Sequence, residues 1–151
     1  MSEDRLNSKL EWQGAEFLVL ANLLIEKIEA YKPYVNHAGY DLVALNISAD
    51  RRARISVKSR WATNRAGYFS VTNMDCDFVV HVALNRGERR RRRTIPGISS
   101  APEIYVFPVK VCESVCGRSG RINIKKIRGG EQFISNWQLI REFLEPYGST
   151  R

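Results

Sequence analysis

The chain has 151 residues, 44% of them hydrophobic, which suits one domain, 1–151, with a core of its own. Its 24 basic against 16 acidic residues leave a net charge of +8; this favours a polyanionic partner, nucleic acid (DNA or RNA) first and an anionic membrane surface second, although solubility alone would also account for it. The apolar-rich stretch 17–25 is too short for a bilayer of about 30 Å, no charged leader with a cleavable apolar stretch opens the sequence, and three cysteines (Cys76, Cys112, Cys116) make no disulfide framework, so a cytoplasmic protein with reduced thiols and no membrane association is expected.

Residues 1–8 are polar and are expected to fray. Ser8-Lys9-Leu10-Glu11 reads as a capping box. Phe17, Leu20, Ala21, Leu24, Ile25 and Ile28 then follow helical spacing, which predicts a helix to about Ala30, ahead of Pro33. Residues 41–47 and 52–59 alternate as strands about a polar turn near Ser48-Ala49-Asp50 and predict a hairpin. The stretch 62–75 is irregular, with a short strand near 68–72. Residues 77–85 form a nearly continuous apolar run, as in a strand covered on both faces. A basic loop is expected over 86–102, then a strand over 103–112 whose Pro108 implies a sheet edge or a bulge. A short extended segment near 121–127 and a last amphipathic helix over 131–144, carrying Phe133, Trp137, Ile140, Phe143 and Leu144, complete the chain. The expected fold is α/β: a central mixed β-sheet of four to five strands flanked by an N-terminal and a C-terminal helix.

Within the hairpin, Asp41 falls opposite about Ser56 to Lys58 if no bulge intervenes. Ser56 and Lys58 are two apart and share a face. An acid and a lysine grouped in this way suit metal-assisted phosphodiester chemistry. A cross-strand ion pair, contributing about 0.2–1 kcal/mol, is the competing reading.

Glu16 in the first helix, Gly39-Tyr40-Asp41, Ile55-Ser56-Val57-Lys58-Ser59 and the strand that follows resemble the PD-(D/E)XK nuclease-like superfamily over about half the chain. The resemblance implies a restriction-endonuclease-like fold and a divalent-metal-dependent endonuclease, with Mg²⁺ or Mn²⁺ as cofactor, DNA as substrate and a homodimeric assembly. It implies Asp41 as the first acid, Ser56 at the second ligand position, Lys58 as the lysine that orients water, Glu16 as the helix carboxylate, and the Val57 carbonyl as a metal ligand. Ser56 stands where the pattern has an acid or Gln; a hydroxyl brings no charge to Mg²⁺. Glu16, then Asp75 or Asp77, could compensate. A catalytically degenerate DNA-binding or interaction module on the same fold is the alternative.

Arg60 and Trp61 leave the strand that carries Lys58, and Arg89, Arg90, Arg91, Arg92 and Arg93 form the densest charge in the chain. Both groups are candidate phosphate contacts; a solvated loop is the bland reading of the second. A closed zinc site wants four ligands, which Cys112 and Cys116 do not find nearby in sequence.

Overall fold

The computed structural model describes residues 4–5, 7–63, 67–90 and 93–147. Along the chain the elements are β1 (Asp4–Arg5), α1 (Ser8–Ile25), β2 (Glu29–Tyr31), β3 (Leu42–Asn46), β4 (Arg51–Arg60), β5 (Tyr68–Ser70), β6 (Phe78–Ala83), β7 (Gly87–Arg90), β8 (Arg93–Pro96), β9 (Glu103–Pro108), α2 (Val109–Val115), β10 (Arg121–Asn123) and α3 (Gln138–Leu144). Five strands form the central sheet in the order β2-β3-β4-β6-β9. The β4–β6 pairing is parallel and the other three are antiparallel, so the sheet is mixed. This is the α/β architecture that the hydrophobic patterning implies.

Two apolar layers sandwich the sheet. On one face, Ala15, Val19 and Leu23 of α1 and Ile140 and Leu144 of α3 pack on Leu42, Ile55, Val80 and Val106. On the other, Phe69, Cys112 and Ile122 from β5, α2 and β10 pack on Val79 and Phe107. β6 contributes to both layers, Val80 and Val82 to the first and Val79 to the second. A strand covered on both faces needs a nearly continuous apolar run such as that over 78–84, which only His81 interrupts.

Several boundaries differ from the sequence expectation, each for a local reason. Asn7, not Ser8, caps α1: its side chain accepts from the Leu10 N–H at 3.3 Å. The helix stops at Ile25 and not near Ala30. Lys27 adopts φ 60°, its N–H donates to the Leu24 carbonyl, and the Ile28 N–H donates to the Leu23 carbonyl at 2.9 Å. That is a Schellman closure with lysine where glycine is usual. It turns the chain back so that 29–31 becomes an edge strand. Pro108 is the last residue of β9, at the sheet edge, and 109–115 is helical instead of extending the strand. Residues 87–90 and 93–96 are strands: β7 and β8 pair antiparallel, and β1 adds to β8 through Asp4↔Thr94 and Arg5↔Arg93, so this part of the N-terminal segment is paired and not frayed.

The last expected helix is broken in two. A 3₁₀ turn covers Gly130–Phe133, and α3 begins only at Gln138. Between them Ile134 bridges Tyr105 of β9, and the Ser135 N–H donates to the Ile104 carbonyl at 2.7 Å. Phe133 belongs to one core layer and Trp137 to the other. The segment rounds the β9 edge, so two residues four apart serve opposite faces of the sheet. Among the described residues no helix is long and apolar enough to cross a membrane.

Candidate active site at the end of the β3–β4 pairing

The β3–β4 ladder ends at Leu42↔Ile55. Uninterrupted pairing would set Asp41 opposite Ser56. Instead the Asp41 N–H donates to the Ile55 carbonyl at 2.8 Å, one residue out of step, as at a bulge. The Asp41 carboxylate then accepts from the Val57 N–H at 2.7 Å. It thereby satisfies a backbone donor that β3 no longer reaches. A strand residue turns its N–H and C=O toward the same neighbour. The Val57 carbonyl therefore faces the side on which Asp41 sits.

Here the sheet and α1 enclose a cleft of about 720 Å³, lined by Glu11, Trp12 and Glu16 of α1, by Lys32 and His37 after β2, by Tyr40 and Asp41, and by Val57, Lys58 and Ser59 of β4. Glu16 is on the inward face of α1 and only 5% exposed. It is ion-paired with Lys32. The Lys32 ammonium also lies 5.8 Å from the Trp12 ring centre and 5.5 Å from that of Phe17. Burial holds the Glu16 carboxyl above the usual carboxylate range; the hydrogen bond from Lys32 opposes this, the Asp41 charge adds to it, and the Lys58 charge opposes it. Glu16 thus feels the charges of both Asp41 and Lys58 across one cleft. Lys32 is the member that sequence reasoning missed, because nothing in its local pattern marks it: it enters the cleft only because the Schellman turn at Lys27 reverses the chain beneath α1.

Ser56 stands apart. It is 2% exposed and does not line the cleft. Its backbone hydrogen-bonds the thiol of Cys76, whose pKa burial pushes up to about 11. Asp75 and Asp77 are also elsewhere, holding Arg54. The Arg54 N–H and Nε donate to Asp77 Oδ2 at 2.7 and 3.2 Å, and its Nη1 donates to Asp75 Oδ1 at 2.7 Å. The carboxylates of the cleft are therefore those of α1 and of Asp41. All three cysteines are free.

The arginine hairpin borders this cleft. Burial raises the Glu11 carboxyl, against the charge of Arg89 and a hydrogen bond with Ser59. Arg89 therefore stands near the rim where α1 and β4 meet. Trp61 packs against the base of the hairpin: a Cβ added at Gly87 would come within 3.2 Å of its ring. The Thr63 hydroxyl and backbone N–H bind the Gly87 N–H and carbonyl at 2.9 and 2.8 Å. Trp61 thus serves as an anchor for the hairpin. Arg60 lies close enough to the buried His81 to help lower its pKa. Arg91 and Arg92 lie outside the described residues; the backbone of Arg90 and Arg93 belongs to β7 and β8.

Glu11, Glu16, Asp41 and Val57 bring oxygen atoms to the cleft, and Glu16, Asp41 and the Val57 carbonyl are the set that the resemblance implies for a cation. Among the described residues no three His, Cys, Asp or Glu side chains cluster for a metal. Two carboxylates and a carbonyl are hard ligands in the small number that Mg²⁺ accepts, since it retains several waters and binds substrate phosphate. The residues present fit such an ion. They do not make a closed all-protein cage.

No protein-family model matches the chain, and no curated protein does. Among solved structures it is similar to a bacterial homing endonuclease, I-Ssp6803I, with a TM-score of 0.62 at 21% identity over 90% of this chain and 93% of that one. At that identity the likeness is one of fold: this chain shares the fold of that endonuclease.

Proposed function

We propose that the protein is a divalent-metal-dependent DNA endonuclease of PD-(D/E)XK type. The observation that carries this reading is the convergence of Glu16, Asp41, Val57 and Lys58 on one cleft of a nuclease fold. The homing endonuclease of the same fold supports DNA as the substrate class. The excess of positive charge, with Lys9, Lys32 and Lys58 lining the cleft and Arg89 beside it, suits a phosphodiester backbone.

Glu16, Asp41 and the Val57 carbonyl would hold Mg²⁺ or Mn²⁺. When bound, the ion supplies an acidified water and a Lewis acid for the phosphate oxygen. The chain's own residues do the rest. The Val57 N–H fixes one oxygen of Asp41, so the carboxylate is preorganised before a cation arrives. Lys58 leaves β4 into the same cleft, where its ammonium can orient the nucleophile and stabilise charge developing on the phosphate. Lys32 holds Glu16 and supplies a second cation near the phosphate path.

Ser56 favours a second reading. The pattern's second acid is replaced by a buried hydroxyl outside the cleft, which lowers the negative charge offered to a cation. On that reading the chain binds DNA without cutting it. Incubation with supercoiled plasmid and Mg²⁺ or Mn²⁺ separates the two. The endonuclease reading predicts nicking or linearisation that Asp41→Ala and Lys58→Ala abolish. Cleavage that survives both substitutions sinks the site assignment, whereas salt-sensitive DNA retention without cleavage supports the binding module.

A further inference from the structure

Helix α1 has two apolar faces. Ala15, Val19 and Leu23 point inward and are fully buried. Leu10, Gly14, Phe17, Ala21 and Leu24 recur at steps of four and three residues, which at about 100° per residue places them on the opposite side. That side is open. Leu10 is 66%, Phe17 58% and Leu24 51% exposed, and a Cβ added at Gly14 would meet nothing within 4 Å. No charged residue occurs from Phe17 to Ile25. A helix apolar on both faces is normally covered on both, and an exposed stripe of this kind marks a contact surface. The four-three spacing is that of a helix–helix seam.

We propose that this stripe is a homodimer interface, with α1 packed antiparallel against α1 of a second copy. The pattern of large and small side chains selects that occupant. In an antiparallel pair whose two-fold axis passes near Val19, Phe17 meets the partner's Ala21 and Leu24 meets the partner's Gly14. Phe17 and Leu24 each face a small residue, as in an interdigitated core, and the same contacts repeat across the axis, while Leu10 lies past the partner's last helical turn. A parallel pair would set Phe17 on the partner's Phe17 and leave a void between two glycines.

The area is sufficient for a modest dimer. A whole aromatic side chain buries about 150–250 Å²; at the exposures above, the stripe with Ile25 offers at most about 500–600 Å² per protomer, so the pair buries at most about 1,000–1,200 Å² in total, at or below the lower end of specific interfaces. Weak, reversible association is what an interface of this size suits, and the contacts, not the area, set its Kd. Because α1 also carries Trp12 and Glu16 into the cleft, the axis that relates the helices relates two clefts as well.

Sedimentation equilibrium of the full chain over about 1–200 µM tests this without DNA or metal, so its outcome is independent of the nuclease reading. Wild type is expected to show a reversible monomer–dimer equilibrium. Phe17→Glu should be monomeric throughout, with an unchanged circular dichroism spectrum and a cooperative melt showing that it is folded. Phe17→Ala and Ala21→Phe should each weaken association at least about tenfold, the first by leaving two small residues face to face and the second by crowding two large ones. The double variant should return to within about threefold of wild type, because it restores large against small. A wild type that stays monomeric, or a Phe17→Glu dimer of undiminished affinity, overturns the interface. Single variants that weaken and a double variant that does not recover overturn the antiparallel register.

Discussion

Replacing Lys32 by methionine removes the counter-ion of a buried carboxylate and keeps a similar stem against Trp12 and Phe17. Glu16 is 5% exposed, so its charge cannot be recovered by water alone. Stripping one partner from a fully buried pair costs about 3–5 kcal/mol. Here the Lys32 side chain is 30% exposed, and exposed pairs contribute under about 1 kcal/mol. The expected loss is therefore intermediate, about 1–2 kcal/mol, or a fall in Tm of about 2–8 °C for a chain of this length. The pH dependence identifies the cause. Burial already raises the Glu16 carboxyl above its unfolded value of 4.5, and without Lys32 it rises further. A raised carboxyl binds more protons folded than unfolded, so its cost grows as pH rises above the unfolded value and vanishes below it. Urea denaturation followed by circular dichroism at pH 4 and pH 7.5 should show a small difference between Lys32→Met and wild type at the lower pH and the full loss at the higher. An equal loss at both would mean that Lys32 stabilises by packing and that the charge argument is wrong.

Other expectations follow from the geometry. Lys27→Gly relieves a left-handed residue inside a Schellman turn and should stabilise by about 0.5–1 kcal/mol in the same assay. Gly87→Ala should cost more than about 1 kcal/mol, because Gly87 has φ 139° and a Cβ there would approach the Ile95 carbonyl oxygen to 2.8 Å; tryptophan fluorescence should change as Trp61 loses its seat. His81 is buried and stacked on Phe69 at 4.6 Å, and burial pushes its pKa down from 6.5 to about 4. Such a group takes up a proton in the unfolded chain first, so stability should fall as pH drops from 6.5 toward 4. His81→Leu should flatten that limb of the stability–pH profile.

The hairpin was legible because a short polar turn between two alternating runs fixes register, and register puts Asp41 beside β4. Its last step was not, because alternation carries no sign of the offset that swings the Asp41 carboxylate onto the Val57 N–H. Glu16 was legible only through resemblance; by pattern it is one polar residue at the rim of an apolar face. Lys32 and the edge strand before it were hidden by a helix terminus that uses lysine in place of glycine. Residues 131–144 read as one amphipathic helix because Phe133 and Trp137 are spaced for it, yet pairing of Ile134 with Tyr105 carries the chain round a sheet edge. The basic segment over 86–102 looked like loop because arginine favours neither state strongly, while pairing with β1 is a non-local contact that local composition does not encode.

In the proposed endonuclease, Glu16, Asp41 and the Val57 carbonyl receive a divalent cation next to Lys58. A crystal soaked in Mn²⁺ tests it most directly, by anomalous scattering. The expected result is a peak about 2.0–2.3 Å from an Asp41 carboxylate oxygen, with the Val57 carbonyl and Glu16 around it and Lys32 displaced from Glu16, and no peak in Asp41→Asn. A cleft without a peak at millimolar Mn²⁺, or a peak unaffected by Asp41→Asn, would contradict it.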